Sequence, residues 1–174
     1  MPDSKSTAPH LTGTLPWTRS CFVCGQDNPH GLRLKSRMED GMVVLDYTTR
    51  ERDLGWRHSV HGGITMTLLD EVMTWAAILS ARRACVAAEV TTRLKRPIDM
   101  GVTLRVEGRV TTARPRLHLT EGRVLNPEGT VLATASGKYV PMPAGQYALC
   151  EDDFITDPAS IAPGRLMESC IGRM

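Results

Sequence analysis

The sequence of 174 residues has no long hydrophobic segment, little net charge and no internal repeat. Its longest uncharged apolar run, 72–81, is about half as long as a helix that crosses a bilayer. The first 16 residues lack the continuous apolar stretch of a secretory signal. A formal net charge of +2 provides no global field that would favour nucleic acid. We therefore expect no membrane span, no export and no nucleic-acid partner.

The cysteines also argue against a protein held together by disulfide bonds. There are five of them, an odd number, which disfavours a disulfide framework and fits a reducing compartment, so we expect a cytoplasmic protein. Cys21 and Cys24 have the spacing of half a zinc site, with His30 as the nearest further ligand, but no second pair follows. We predict no metal and no cofactor, and we interpret these cysteines as packing residues.

The length suits one core-bearing domain with extensions. Residues 1–20 are rich in Pro, Ser and Thr without periodicity, and we predict a flexible N-terminal arm. The domain is predicted over 21–140. Residues 141–174 form a C-terminal tail whose apolar residues are expected to dock on the domain or on a neighbouring subunit.

Two patterns of hydrophobic periodicity predict the elements of the domain. Alternation at Leu32 and Leu34, and again over 43–47, predicts two antiparallel strands joined by a hairpin at 39–41. The almost uniformly apolar stretch 62–81 predicts a buried helix. Four further strands are predicted over 86–94, 102–110, 117–125 and 130–140. The fold class is therefore α+β, an antiparallel sheet wrapped around one long central helix.

The acids of this helix are its most informative residues. Ionised carboxylates are seldom buried without a partner or a purpose, and Asp70 and Glu71 point about a quarter-turn apart, so we expect one of them to be structural. At the helix start, Gly62 and Gly63 allow a substrate carbonyl to approach unpaired backbone N–H groups, which can hold an oxyanion. A tight helix entry and a capping or ion-paired aspartate remain the alternatives.

A family resemblance rests on these residues. His61-Gly62-Gly63, followed nine residues after the histidine by Asp70, resembles the signature of the phenylacetate-type hotdog-fold thioesterases. The predicted element order over 21–140 is similar to that family's sheet around a single helix. The segments 21–25 and 28–32 resemble the leading segment of one hotdog subgroup. The resemblance implies the hotdog fold.

It also implies hydrolysis of a coenzyme A thioester to free acid and coenzyme A. Asp70 would act as general base or as nucleophile, and the Gly63 amide with Gly62 would polarise the thioester carbonyl. His61 belongs to this catalytic set, either as a base or as the residue that fixes the loop. Such relatives place each active site between two subunits, which implies a homodimer or a dimer of dimers.

Substrate contacts are predicted around this centre. Apolar side chains of the helix would line the acyl pocket, cations would bind the phosphates of coenzyme A, and a histidine of the preceding loop would contact the substrate. These residues are His58, Met66, Met73, Arg93, Lys95, Arg96 and Arg114.

Two other functions remain open. Many members of the family carry an asparagine six positions before the histidine, where this sequence has Gly55, and that departure motivates a non-catalytic acyl-CoA-binding protein. Asp53 and His58 suggest an enoyl-CoA hydratase or dehydratase, since that chemistry pairs a histidine with a carboxylate.

Overall fold

The computed structural model describes residues 12–143, 146 and 152–167. Within this part of the chain, a seven-stranded antiparallel sheet packs against one long helix. The elements are β1 (Gly13–Thr14), β2 (Arg37–Glu39), β3 (Met42–Thr48), a 3-10 turn (Glu51–Asp53), α1 (Gly62–Ala81), β4 (Cys85–Leu94), β5 (Thr103–Arg114), β6 (Leu117–Leu125), β7 (Val131–Pro141) and α2 (Pro163–Leu166). The strands lie in the order β1-β2-β3-β5-β6-β7-β4. The predicted α+β arrangement is confirmed.

Helix α1 has the bounds that the sequence predicts. His61 caps its first turn, and Arg82 ends it in the left-handed conformation at φ 52°. Leu68, Leu69 and Val72 are fully buried, because their spacing of three and four residues puts them on one side of the helix, against the sheet. By length and composition alone α1 could cross a bilayer, but much of it is buried inside the fold.

The first hairpin differs in part from the prediction. Asp40 and Gly41, at φ 49° and 76°, form the turn between β2 and β3, and positive φ at two successive residues suits the twist of a tight hairpin. The strand predicted through Leu32 and Leu34 is wrong, since β2 begins only at Arg37. Both leucines are buried, but their N–H groups bond to the carbonyls of the Cys21–Cys24 region rather than to a sheet neighbour.

The remaining hairpins follow the prediction closely. β6 has the predicted bounds, and β4, β5 and β7 agree within a few residues. The turn at 126–129 is closed by a hydrogen bond of 2.9 Å from the Gly129 N–H to the Asn126 carbonyl. The register of these strands puts Tyr139 of β7 opposite Ala87 of β4 and His118 of β6.

Both ends of the described chain contribute to the core. Leu15 and Trp17 are buried, so residues 15–17 of the predicted flexible arm are packed against the fold; residues 1–11 lie outside the described part. Their apolar side chains are the physical reason, since burial of each removes a large apolar area from water. At the other end, Leu166 and Met167 are buried in the same core.

Strand β4 is an open edge of the sheet. It pairs only with β7, and most of its residues are exposed on both faces, including the apolar Val86 and Leu94. The other edge, β1, is only two residues long. A strand of ten residues with unpaired N–H and C=O groups and exposed apolar side chains is a surface for pairing with another chain.

Candidate active site

The first turn of α1 leaves one backbone donor open. The Gly63 N–H donates to His61 Nδ1 at 2.9 Å, and the Ile64 N–H donates to the His61 carbonyl at 2.9 Å. The Gly62 N–H has no hydrogen-bond partner among the described residues. The family resemblance implies Gly63 as the principal donor to an oxyanion, but in this structure the Gly63 N–H is already bonded to the His61 side chain. The open amide at the positive end of the helix dipole is that of Gly62.

Asp70 lies two turns further along the helix, with its carboxylate half-buried and held by one strong contact. The Tyr139 hydroxyl donates to Asp70 Oδ1 at 2.7 Å. Among the described residues the second carboxylate oxygen has no hydrogen-bond partner. Burial raises the pKa of Tyr139 well above its usual range, and the bond to Asp70 adds to that rise. Tyr139 is therefore a fixed neutral donor that orients Asp70 and leaves one oxygen available for a substrate or a water molecule.

Gly137 makes the space that Tyr139 occupies. A Cβ at Gly137 would overlap the ring of Tyr139, so a side chain there would displace the ring. The tyrosine itself is completely buried. Gly137 therefore supports the Asp70 carboxylate indirectly, because it leaves room for the ring of Tyr139, which donates to that carboxylate.

Glu71 has a different environment from its neighbour. Its side chain is 8% exposed and accepts a hydrogen bond of 3.1 Å from Trp75 Nε1. Burial raises the pKa of Glu71 to about 8, and repulsion from Cys21 adds to this rise, against the opposing effect of the indole N–H. Glu71 therefore belongs to the packed side of α1, as the quarter-turn between the two acids predicts for one of them.

The open amide and the carboxylate are far apart within one chain. Gly62 and Asp70 are eight residues apart on α1, which at about 1.5 Å per residue is a rise of about 12 Å. A side chain directed back toward the helix start shortens this distance only in part. One carbonyl group therefore cannot contact both groups of the same chain.

The predicted substrate-contact residues fall into different parts of the structure. Lys95 and Arg96 line a cleft of about 470 Å³ together with Trp56, Gly62 and Leu94. The structure therefore brings these two cations to the helix start. Trp56 is 88% exposed at the mouth of this cleft.

The other predicted contacts are dispersed. His58 is exposed in a left-handed turn at φ 67°, Met66 is exposed on α1, and Arg93 is exposed on β4. Arg114 of β5 pairs with the start of β6, which lies at the Cys85 end of β4. It is therefore at the opposite end of the sheet from Leu94. Met73 is completely buried against β6, where Gly122 leaves room for it, so in this chain it is a core residue rather than part of an open pocket.

The loop before α1 explains the position of Gly55. A Cβ at Gly55 would lie 2.8 Å from the Cα of His61, so the backbone there is too close for any side chain. The asparagine that relatives carry has no room at this position. Asp53 does not replace it, because its carboxylate is buried and accepts from Tyr47 OH at 2.6 Å and from the Arg50 N–H at 2.8 Å.

Tyr139 contacts the candidate site but is not predicted from the sequence. Its partner Asp70 is 69 residues away, and only the register of the folded sheet joins them. A local signal exists: Ala133, Ala135, Gly137 and Tyr139 alternate on one face of β7, three small residues followed by one large polar aromatic. A tyrosine hydroxyl on a buried face needs a hydrogen-bond partner, and the helix acids are the available acceptors.

Comparison with known proteins agrees with this fold. Residues 58–133 match the sequence profile of the thioesterase superfamily. A crystal structure of a thioesterase superfamily protein is 27% identical with a TM-score of 0.63, and the match covers 70% of this chain and 60% of that one. The E. coli PaaI protein from the phenylacetic acid degradation operon is 25% identical with a TM-score of 0.58 over 64% of this chain and 81% of its own.

A third structure extends over more of the chain. A Streptococcus mutans protein solved with acetyl CoA is 15% identical with a TM-score of 0.57, and covers 80% of this chain and 95% of its own. No curated protein sequence matches. The chain therefore has the hotdog fold. Its sequence over 58–133 matches the profile of the thioesterase superfamily, which confirms the predicted resemblance.

Proposed function

We propose that the protein hydrolyses an acyl-CoA thioester, with the carboxylate of Asp70 as general base or nucleophile. The observation that carries this proposal is the Asp70 carboxylate, fixed at one oxygen by Tyr139 and open at the other. A carboxylate held this way can remove a proton from water or attack a thioester carbon directly. The Gly62 amide stabilises the negative charge that develops on the carbonyl oxygen.

The complete site requires a second copy of the chain. If two β4 edges pair antiparallel about a two-fold axis, the Leu94 end of one strand lies beside the Cys85 end of the other. Gly62 packs on Leu94, and Tyr139 pairs with Ala87 near the other end of β4. Edge pairing therefore brings the helix start of one copy toward the Asp70 of the second. We infer a homodimer, with a dimer of dimers as the larger assembly, in which each active site uses both chains.

The cleft at the helix start supports a coenzyme A ester as substrate. Lys95 and Arg96 offer cations to phosphates at its rim, and Trp56 offers an apolar or stacking surface beside them. The likeness in fold to the Streptococcus mutans protein solved with acetyl CoA is consistent with such a ligand. In this proposal Met66 contacts the acyl group from the exposed face of α1.

A non-catalytic acyl-CoA-binding protein is the second candidate, and one observation favours it. The Gly63 amide is bonded to His61 and position 55 has no polar side chain, so a second oxyanion donor and a water-positioning amide are both missing from this arrangement. Binding without turnover would result if Gly62 alone cannot stabilise the oxyanion. The hydratase function receives less support, because Asp53 is buried and accepts from the Tyr47 hydroxyl and the Arg50 N–H, whereas His58 is exposed and makes no hydrogen bond to it among the described residues.

The test is thiol release from a panel of short, medium, long and aromatic acyl-CoAs. Asp70→Asn keeps the shape of the side chain and should lower kcat by about a hundredfold or more, the size expected of a base or nucleophile. The matched control is Asp40→Asn, at an exposed left-handed turn position that asparagine tolerates, and it should leave the rate unchanged. Tight binding of every ester without thiol release would establish the binding protein instead, and loss of enoyl absorbance without thiol release would establish the hydratase.

A further inference from the structure

A pair of cysteines outside the candidate active site lies on one helical turn. The Gly25 N–H donates to the Cys21 carbonyl at 2.9 Å, which closes a single turn around the Cys21-Phe22-Val23-Cys24 segment. Residues three apart on such a turn lie on the same side, and their Cα atoms are separated by a distance that a disulfide bond spans. A Cβ at Gly25 would overlap the Cys21 carbonyl, so the turn depends on glycine there.

The two thiols differ in exposure and in chemistry. Cys21 is partly exposed, whereas Cys24 is buried. The Val23 N–H donates to Cys21 Sγ at 3.2 Å, and Cys24 lies one helical turn further along the chain. Interaction with the Cys24 thiol is the main cause that lowers the pKa of Cys21 to about 5, the Val23 N–H adds to it, and the same interaction raises the pKa of Cys24. A partly exposed cysteine whose sulfur accepts a backbone N–H, which favours the thiolate form, therefore stands beside a buried one.

The surroundings hold the pair in this arrangement. Thr18 Oγ1 lies 3.6 Å from Cys24 Sγ and accepts the Cys21 N–H at 3.3 Å. The Leu32 and Leu34 N–H groups bond to the carbonyls of Phe22 and Val23. Among the described residues no group of three or more His, Cys, Asp and Glu side chains could hold a metal ion. The geometry suits a two-sulfur reaction rather than metal coordination.

We propose that Cys21 and Cys24 form a thiol–disulfide exchange site that reacts with low-molecular-weight disulfides and closes to an internal disulfide. The Cys21 thiolate attacks one sulfur of the disulfide, whose S–S bond breaks and releases one thiolate. Cys24 then attacks the Cys21 sulfur of the mixed disulfide, the second thiol leaves, and the Cys24 proton passes to it. From thiolate and thiol the pair loses two electrons and one proton, and the small disulfide is reduced to one thiolate, which takes its proton from solvent, and one thiol.

This site connects to the helix that carries Asp70. The Glu71 carboxylate interacts electrostatically with both Cys21 and Cys24, and it is the neighbour of Asp70 on α1. Oxidation removes the negative charge of the Cys21 thiolate from this buried carboxyl. The exchange reaction itself does not depend on thioester hydrolysis, so each proposal can fail without the other.

The test uses the full-length protein in buffers of reduced and oxidised glutathione, quenched with an alkylating agent and digested with trypsin. Cys21 and Cys24 are the only cysteines in the tryptic peptide 20–33, between Arg19 and Arg33. We expect this peptide to convert reversibly from the doubly alkylated form to one that is two hydrogens lighter than the free dithiol. At pH 6 Cys21 should also react with iodoacetamide at least about ten times faster than free glutathione.

Three variants separate the roles of the two sulfurs. Cys24→Ser should trap one glutathione on Cys21, because the resolving thiol is gone. Cys21→Ser should trap none, because Cys24 is buried. The control Cys85→Ser removes another buried thiol and should leave the exchange unchanged. An unoxidised 20–33 peptide in every buffer, disulfides that join only different chains, or glutathione trapped by Cys21→Ser instead of Cys24→Ser would overturn the proposal.

Discussion

Mixed dimers give a sharp test of where the two halves of the active site come from. One chain carries Asp70→Asn and the other carries Gly62→Val, which places a branched side chain over the open amide and against Leu94. Each variant alone should lose about a hundredfold or more of the thioesterase rate. The rise of about 12 Å between these residues prevents them from serving one carbonyl within a chain. A mixed dimer therefore contains one intact site and one site with both defects.

Co-expression with two affinity tags allows the mixed dimer to be purified. Its rate of thiol release should be about half that of the wild type, since one site in two is intact, and a statistical mixture should show about a quarter. If both groups of a site come from the same chain, every site in the mixed dimer has one defect and the rate stays at that of the single variants. That result would refute the reasoning from helix geometry.

A second mixed dimer is the matched control, and its expected rates of thiol release are the reverse of those of the first. Here one chain is wild type and the other carries both Asp70→Asn and Gly62→Val. With sites shared between chains, each site of this mixed dimer has one defect, and the dimer should be inactive. With sites confined to one chain, the same dimer should retain about half of the wild-type rate. The two preparations contain the same substitutions, so a difference between them reports the arrangement alone.

Three further predictions concern the neighbours of the site. Tyr139→Phe removes the hydrogen-bond donor to Asp70, and a hydrogen bond to a charged group is worth about 1.5 to 3 kcal/mol. Steady-state kinetics should show kcat lowered by about tenfold or more with KM unchanged. A larger effect on KM would contradict a positioning role for Tyr139. Glu71 has an ordinary pKa of 4.5 when unfolded and about 8 when folded, so the folded state keeps its proton longer and the free energy of unfolding should fall as pH rises from about 4.5 to about 8. Urea unfolding at pH 5 and pH 8 should show that Glu71→Gln reduces this decline, and an unchanged decline would show that other groups cause it. Gly137→Ala should displace the Tyr139 ring, destabilise the fold by about 1 to 3 kcal/mol and lower kcat, as measured by urea unfolding and thiol release; full stability with full activity would contradict the packing argument.

Much of the fold is encoded in local patterns. The bounds of α1 follow from an uninterrupted apolar stretch preceded by a capping histidine and two glycines. The later hairpins follow from alternating strands and from turn residues such as those at 126–129. Each of these signals involves residues within about one turn or one strand of each other, which is why sequence alone predicts them.

The failures involve contacts between distant residues. Leu15 and Trp17 lie in a segment without periodicity, and only the packing of the sheet shows that they are buried. Tyr139 reaches Asp70 through strand register, and the amide of Gly63 is occupied because of the orientation of the His61 ring. The alternation along β7 marks Tyr139 as inward-facing, but no local pattern identifies Asp70 as its partner. The dispersion of Met73 and Arg114 from the rest of the predicted site has the same cause.

The open β4 edge has a consequence for any experiment on this protein. If each site is built from two chains, the fraction of functional sites is set by mass action between copies of the chain. Specific activity per milligram would then fall on dilution below the dissociation constant of the dimer, without any loss of folded protein. Acyl-CoA substrate that bridges two chains would oppose that fall, so the substrate would also stabilise the assembly that acts on it.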